Sequence, residues 1–438
     1  MSLEEQAVCK EYRRRWLMLL IFVLCSTTNA MHWLQYSIIA NIMMRYYNVS
    51  SLAINWTSMI YMACYIPFVF PASWILERKG LRVALLCGAS MMTLGSWIKV
   101  LSASPDRFYL AFIGQILVGT AQIFILGVPA RLAAVWFPAR QVSTACSLGV
   151  FAANEVGVAL GFLIPPIAVG NHEHLADISH DLLKLYYGMA IGPSVVLCLV
   201  IFFFQKQPPL PPTVRRFEKG EVTLTYGQSL KALMTNRNFL LLLVSYGINI
   251  GVFYVVSTLL NQIVLKARPD AEEDAGRIGL TSVFAGIVGS VTAGIVLDKT
   301  HKFKECTLVV YFMGLAGMIA FTFTLTLGHI WILYFAGALL GFFMTGYLGV
   351  GYEFAAELTF PIPEGTSSGL LNASSEVFGV LFTLCGGELL DYYGDMATNL
   401  TLTALLVAGL AMTLMIKGNE LKRQAASQPE QEMFNTRA

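Results

Sequence analysis

Twelve apolar runs, each close to the length of a bilayer core or longer, follow one another along this chain of 438 residues. About 20 apolar residues span that core as a helix, and only helices or closed barrels satisfy every backbone N–H and C=O there. The runs cover 16–44, 52–76, 83–101, 108–128, 141–168, 185–204, 238–265, 278–297, 306–327, 330–352, 366–391 and 395–416. They predict an all-α membrane protein with twelve transmembrane helices. Composition agrees: 13% of residues are charged and 56% hydrophobic, against about 25% charged in a soluble domain.

The net charge of +2 asks for no nucleic-acid partner. The distribution of the charges says more. With the N-terminus inside, 22 of the 29 Lys and Arg fall on inner segments and 7 on outer ones, Lys99 among the latter, so both termini are expected in the cytoplasm. Tyr12-Arg-Arg-Arg15 precedes the first run as it would in a secretory leader. That run continues without a small-residue cleavage pattern and is read as a retained span. The eight cysteines lie in apolar runs or on the inner side without a CxxC, which argues against a disulfide framework and against zinc.

The longest polar stretch, 205–237, divides the runs six and six. The expected organisation is therefore an N-terminal segment 1–15, a first half 16–204, a cytoplasmic linker 205–237, a second half 238–416 and a tail 417–438. An offset of 221 residues relates the halves. It carries Ala72-Ser-Trp-Ile-Leu-Glu77-Arg78 onto Ala293-Gly-Ile-Val-Leu-Asp298-Lys299, Ala152-Ala-Asn-Glu155-Val156 onto Ala373-Ser-Ser-Glu376-Val377, and Trp33 onto Tyr254. Three matches in corresponding runs predict duplicated six-helix halves in parallel relation, and in such transporters the site lies where the repeats meet. The acidic-basic pairs Glu77-Arg78 and Asp298-Lys299, with Arg82 a few residues on, sit at cytoplasmic helix ends and are candidates for conformational gating.

Glu155 and Glu376 are the most informative single residues. A carboxylate at a helix centre costs about 2.5 to 3.5 kcal/mol on insertion scales, so each is expected to face the bundle interior or water. Each is either a cation or proton site or a neutral Glu bonded to a neighbouring helix. Trp33, in Asn29-Ala-Met-His-Trp33-Leu-Gln, is either a face for a quaternary ammonium, an attraction of about 2 kcal/mol when desolvated, or an interfacial anchor. Its partner Tyr254 adds weight to the first reading and leaves both open. Gln122, a polar group in an apolar run, either orients a ligand or bonds another helix. Asn48-Val-Ser is a glycosylation sequon in a short outer loop. His172, Glu173, His174, Asp177 and His180 in the loop 171–184 match no closed metal site, and neither metal nor cofactor is expected. Gly157, Gly161, Gly286 and Gly289 form small-residue faces for close helix approach. No phosphate loop or catalytic motif stands in a suitable context, so no enzyme is expected.

The duplicated halves resemble the architecture of the major facilitator superfamily, and Glu77-Arg-Lys-Gly-Leu-Arg82 resembles its loop signature between the second and third spans. Trp33-Leu-Gln-Tyr-Ser37, Ala121-Gln-Ile-Phe-Ile-Leu-Gly127, Val142-Ser-Thr-Ala-Cys146, Val256-Ser-Thr-Leu-Leu-Asn-Gln262 and Glu364-Gly-Thr-Ser-Ser-Gly-Leu-Leu-Asn-Ala373 narrow the resemblance. From about Tyr12 to Lys417 the chain resembles the feline leukaemia virus subgroup C receptor family. That resemblance implies transport of choline or ethanolamine by alternating access. It also implies that Trp33, Gln122 and Tyr254 contact the substrate, with Asn29 at a neighbouring polar position. Where members of that family carry Gly-Asn-Gln in the fifth span and Ala-Gln in the eleventh, this chain has Asn154-Glu155 and Ser375-Glu376. Carboxylates in place of amides make the site more attractive to cations and able to titrate.

The rival cargo is haem, which would want an axial His or Cys; His32 is the one histidine well placed in a span. The rival class is a membrane receptor without transport. The plasma membrane is the expected location, with an organelle membrane as the alternative.

Overall fold

A computed structural model describes residues 11–138, 141, 145, 153–210, 226–326, 329–362 and 364–417. All regular structure among them is helical. Nine helical segments among the described residues are long and apolar enough to cross a bilayer: Ser51–Leu76, Leu81–Leu101, Phe108–Leu126, Leu175–Phe203, Arg237–Ala267, Glu272–Leu297, Phe303–Thr324, Ile330–Thr359 and Gly365–Met415. The chain divides into two compact units, Met1–Glu221 and Val222–Ala438.

The first unit holds α1 (Arg14–Met31), α2 (Ala40–Tyr47), α3 (Ser51–Lys79), α4 (Leu81–Leu101), α5 (Phe108–Leu126), α6 (Val128–Trp136), α7 (Ala153–Ala168) and α8 (Leu175–Phe203). Helix α5 packs on α3 and α4, α8 on α4, and α7 on α1. Phe22 and Cys25 of α1, Leu85 and Met92 of α4, Val118 and Ala121 of α5 and Val200 of α8 close one apolar core. The run 16–44 reads as one span, but the helix stops at Met31 and resumes only with a 3-10 turn at Ser37–Ile39. No Pro or Gly lies between Asn29 and Ala40. The interruption therefore belongs to polar groups inserted beside the backbone, a recognised cause of helix breaks.

Leu175–Phe203 begins ten residues before the expected 185 and takes in most of the stretch 171–184 expected as a loop. Ile178 and Leu182 recur at helical spacing and are fully buried, so apolar burial outweighs the polar residues between them. Two of the tight turns fall on glycine. Gly80, between α3 and α4, has φ +89° with extended ψ, a backbone region that only glycine visits readily.

The second unit holds α9 (Tyr226–Thr235), α10 (Arg237–Ala267), α11 (Glu272–Thr300), α12 (Phe303–Thr324), α13 (Ile330–Thr359) and α14 (Glu364–Met415). Gly394, at φ +88°, interrupts α14 and divides it into arms 364–393 and 395–415. Within this unit α13 packs on α11 and α12, and α14 packs on α10 and α12. The same scheme joins α5 to α3 and α4, and α7 to α1, in the first unit. Trp331, Tyr392 and Tyr393, all strongly exposed, stand at the start of α13 and beside the Gly394 break, as expected of an aromatic belt at a membrane surface.

Small residues set the closest approaches. A Cβ on Gly289 of α11 would collide with the backbone of Phe342 on α13, and one on Gly157 of α7 with the Thr27 carbonyl of α1. Gly289→Ala is therefore expected to destabilise the folded protein by about 1–3 kcal/mol, the usual effect of overpacking. Gly294→Ala, on the same helix where a Cβ meets nothing within 4 Å, should leave the melting midpoint in detergent unchanged. Equal midpoints for the two variants would show that the approach of α11 to α13 is not tight.

Candidate functional site

Trp33 lies in the interrupted stretch His32–Tyr36, its ring half-buried against the apolar core of the first unit. Irregular backbone at membrane depth is tolerated where protein or a water-filled cavity receives its polar groups. Gln122, on α5, is half-buried, and its side chain makes no hydrogen bond to another described residue, leaving its amide available to a ligand. Asn29 is committed: its Nδ2 donates to the Val118 carbonyl at 3.0 Å, tying α1 to α5. Asn154 precedes Glu155 on α7, and Glu155 is only 8% exposed. Gly157 and Gly161 seat that helix on the backbone of α1 at Thr27 and Met31.

In the second unit the Tyr254 hydroxyl donates to Glu376 Oε1 at 3.4 Å. Glu376 is 7% exposed, and Tyr254 is its only hydrogen-bonding partner among the described residues. The pair meets because α10 and α14 approach closely: a Cβ on Gly251 would stand 2.9 Å from Phe378 Cβ. Ser374 donates to the Leu243 carbonyl at 2.9 Å and fixes the register of the two helices. Glu155 and Glu376, related by the 221-residue offset, share nearly equal burial. Trp33 and Tyr254 do not share a local backbone, since Tyr254 stands in unbroken helix.

At the predicted inner helix ends, Arg78 and Lys299 are exposed, and Arg82 donates to the Ile201 carbonyl at 2.8 Å near the C-terminus of α8. The side chains of Glu77 and Asp298 lie outside the described residues, as do all of Val142–Cys146 except Ala145, the linker residues 211–225 and the termini 1–10 and 418–438. Asn48 is exposed in a left-handed conformation at the end of α2, and Ser50 of its sequon caps α3 by accepting from Ala53 N. His172 pairs with Asp181 at 2.8 Å, and among the described residues no cluster suited to a metal occurs.

Sequence reasoning missed one group of residues. Lys99, read only as a charge on an outer segment, is 1% exposed within the first unit. It contacts His32 Nδ1 at 3.2 Å and donates to Gln115 Oε1, while Ser96 Oγ lies 3.4 Å from His32 Nε2. The available signal was the row of polar residues Ser96, Lys99 and Gln115 at the predicted outer ends of two apolar runs, beside a histidine in the first.

A sequence profile of the Major Facilitator Superfamily matches residues 16–359. The chain is 48% identical over 422 residues to the choline/ethanolamine transporter flvcr2a of Danio rerio, covering 95% of this chain and 89% of that protein. It is 45% identical over 446 residues to the choline/ethanolamine transporter FLVCR2 of Homo sapiens, covering 99% of this chain and 84% of that one. Among solved structures, a bacterial homolog of the human lysosomal transporter Spinster shares the fold, with a TM-score of 0.72 at 14% identity over 94% of this chain and 99% of its own.

Proposed function

The chain belongs to the Major Facilitator Superfamily and, within it, to the feline leukaemia virus subgroup C receptor family, and from that premise we propose that it carries choline or ethanolamine across a membrane by alternating access. It is a multi-pass membrane transporter and not an enzyme. Twelve crossings in two six-helix halves, 16–204 and 238–416, joined by a cytoplasmic linker 205–237, accommodate α1 with α2 as one interrupted span and the two arms of α14 as two. The termini 1–15 and 417–438 are then cytoplasmic, the membrane is the plasma membrane, and Asn48 faces outward as a glycan acceptor.

Trp33, Gln122, Tyr254 and Glu376 are the substrate-contacting residues in this reading, with Asn29, Asn154 and Glu155 beside them. Glu77, Arg78, Arg82, Asp298 and Lys299 act at the inner gate. The observation that carries it is the Glu376 carboxylate, nearly buried in a membrane-spanning helix and, among the described residues, hydrogen-bonded to the Tyr254 hydroxyl alone. A charge in that position calls for a cationic partner, and both substrates supply an ammonium. Haem finds less support. His32 is fully buried, and both of its ring nitrogens are engaged, with Lys99 and Gln35 at one and Ser96 at the other.

Radiolabelled flux into proteoliposomes tests the proposal. Saturable uptake of choline or ethanolamine, with no haem movement, is the expected result. Haem flux alone would overturn the substrate, and no flux of any of the three would favour a receptor.

A further inference from the structure

We infer that Lys99, together with Gln115 and His32, positions the interrupted stretch His32–Tyr36 and thereby sets the ring of Trp33 for the substrate. The inference rests on the reading of Trp33 as a substrate contact. It goes beyond that reading in assigning a role to three buried residues that touch no substrate.

The interruption frees backbone groups that the helix would otherwise pair, and at membrane depth they need protein partners. Gln115 Nε2 supplies one, donating to the His32 carbonyl at 3.2 Å and to the Thr57 carbonyl at 2.9 Å. One amide on α5 thus holds the first residue after α1 and the neighbouring helix α3. Its oxygen in turn accepts from Lys99 Nζ on α4. Lys99 Nζ reaches both ends of the stretch, contacting His32 Nδ1 at 3.2 Å and standing 5.8 Å from the centroid of the Tyr36 ring. Trp33 lies between those two anchors. Lys99, His32 and Gln115 are all 1% exposed or less, so the contacts are not exchanged for water. Among the described residues no carboxylate pairs with Lys99. A buried lysine amino group held, among the described residues, by neutral groups of the interrupted span and its neighbours is placed to fix that span's geometry.

The test compares choline uptake kinetics, normalised to folded transporter at the surface, in Lys99→Met, Trp33→Phe and the double variant. If Lys99 acts through Trp33, Lys99→Met raises KM about tenfold with Vmax within about twofold, and adds much less on the Trp33→Phe background, as coupled residues do in a double-mutant cycle. A role confined to stability would lower the amount of folded protein and leave KM alone. An unchanged KM in Lys99→Met beside a raised KM in Trp33→Phe would overturn the positioning role and leave the substrate reading standing. An unchanged KM in both would overturn the substrate reading itself. Equal rises with and without Trp33 would place the action of Lys99 elsewhere, also overturning the inference. Should Lys99→Met fail to reach the surface, Gln115→Glu keeps an acceptor for Lys99 while removing the donor to the His32 carbonyl, and the same criteria apply.

Discussion

Trp33→Ala is expected to lower the efficiency of choline uptake about thirtyfold at matched surface expression, the equivalent of a lost cation–π attraction of about 2 kcal/mol. Choline's nitrogen carries no N–H, so hydrogen bonds cannot hold its charged end. The face of an aromatic ring can. Trp33 suits the task because its ring is only half-buried and is carried by backbone that has left the helix. Trp33→Phe retains a weaker face and should fall between wild type and alanine. The effect belongs to the chemistry of the ring rather than to folding, since the core beneath it is built from Phe22, Cys25, Val118 and their neighbours. Uptake of the alanine variant near the wild-type rate would remove Trp33 from the substrate site.

Much of the fold was legible because membrane-spanning helices announce themselves by length and apolar content. Arg237–Ala267 and Phe303–Thr324 lie within three residues of the expected ends at each terminus. Polar residues with tertiary partners were harder to read. Nothing in Met31-His-Trp-Leu-Gln-Tyr36 says that the helix stops there, because the stop depends on Gln115 and Lys99, distant in sequence. Lys99 was misread for the same reason. A lysine near the end of an apolar run resembles a snorkelling charge, and only the packing of α4 against α5 and α8 shows that it points inward. Glu155 and Glu376 were found because a carboxylate inside an apolar run is anomalous whatever surrounds it. Asn29 was named from resemblance, and the structure adds what resemblance did not supply, its bond to the Val118 carbonyl.

Glu376→Gln is expected to reduce ethanolamine transport about tenfold more than choline transport, shifting the ratio of their kcat/KM values. A primary ammonium carries N–H donors, and a hydrogen bond between charged partners contributes about 1.5–3 kcal/mol, against about 0.5–1.5 kcal/mol for a neutral one. The difference, close to about 1.4 kcal/mol, corresponds to a factor of ten. Choline's methyl groups keep its charge farther from the carboxylate oxygen, and its aromatic contact at Trp33 is untouched by the change. The geometry makes Glu376 available for this role. Among the described residues it accepts one long hydrogen bond, 3.4 Å from the Tyr254 hydroxyl, which leaves acceptor capacity to spare. Tyr254→Phe serves as the control, because it removes that hydroxyl while keeping the ring and the carboxylate, and it should leave the ratio unchanged. Competition uptake with both substrates in one assay measures the ratio directly. Equal losses for the two substrates in Glu376→Gln would show that the carboxylate acts through charge alone. No loss for either would make Glu376 a packing partner of Tyr254 and return the recognition of the ammonium to the aromatic rings.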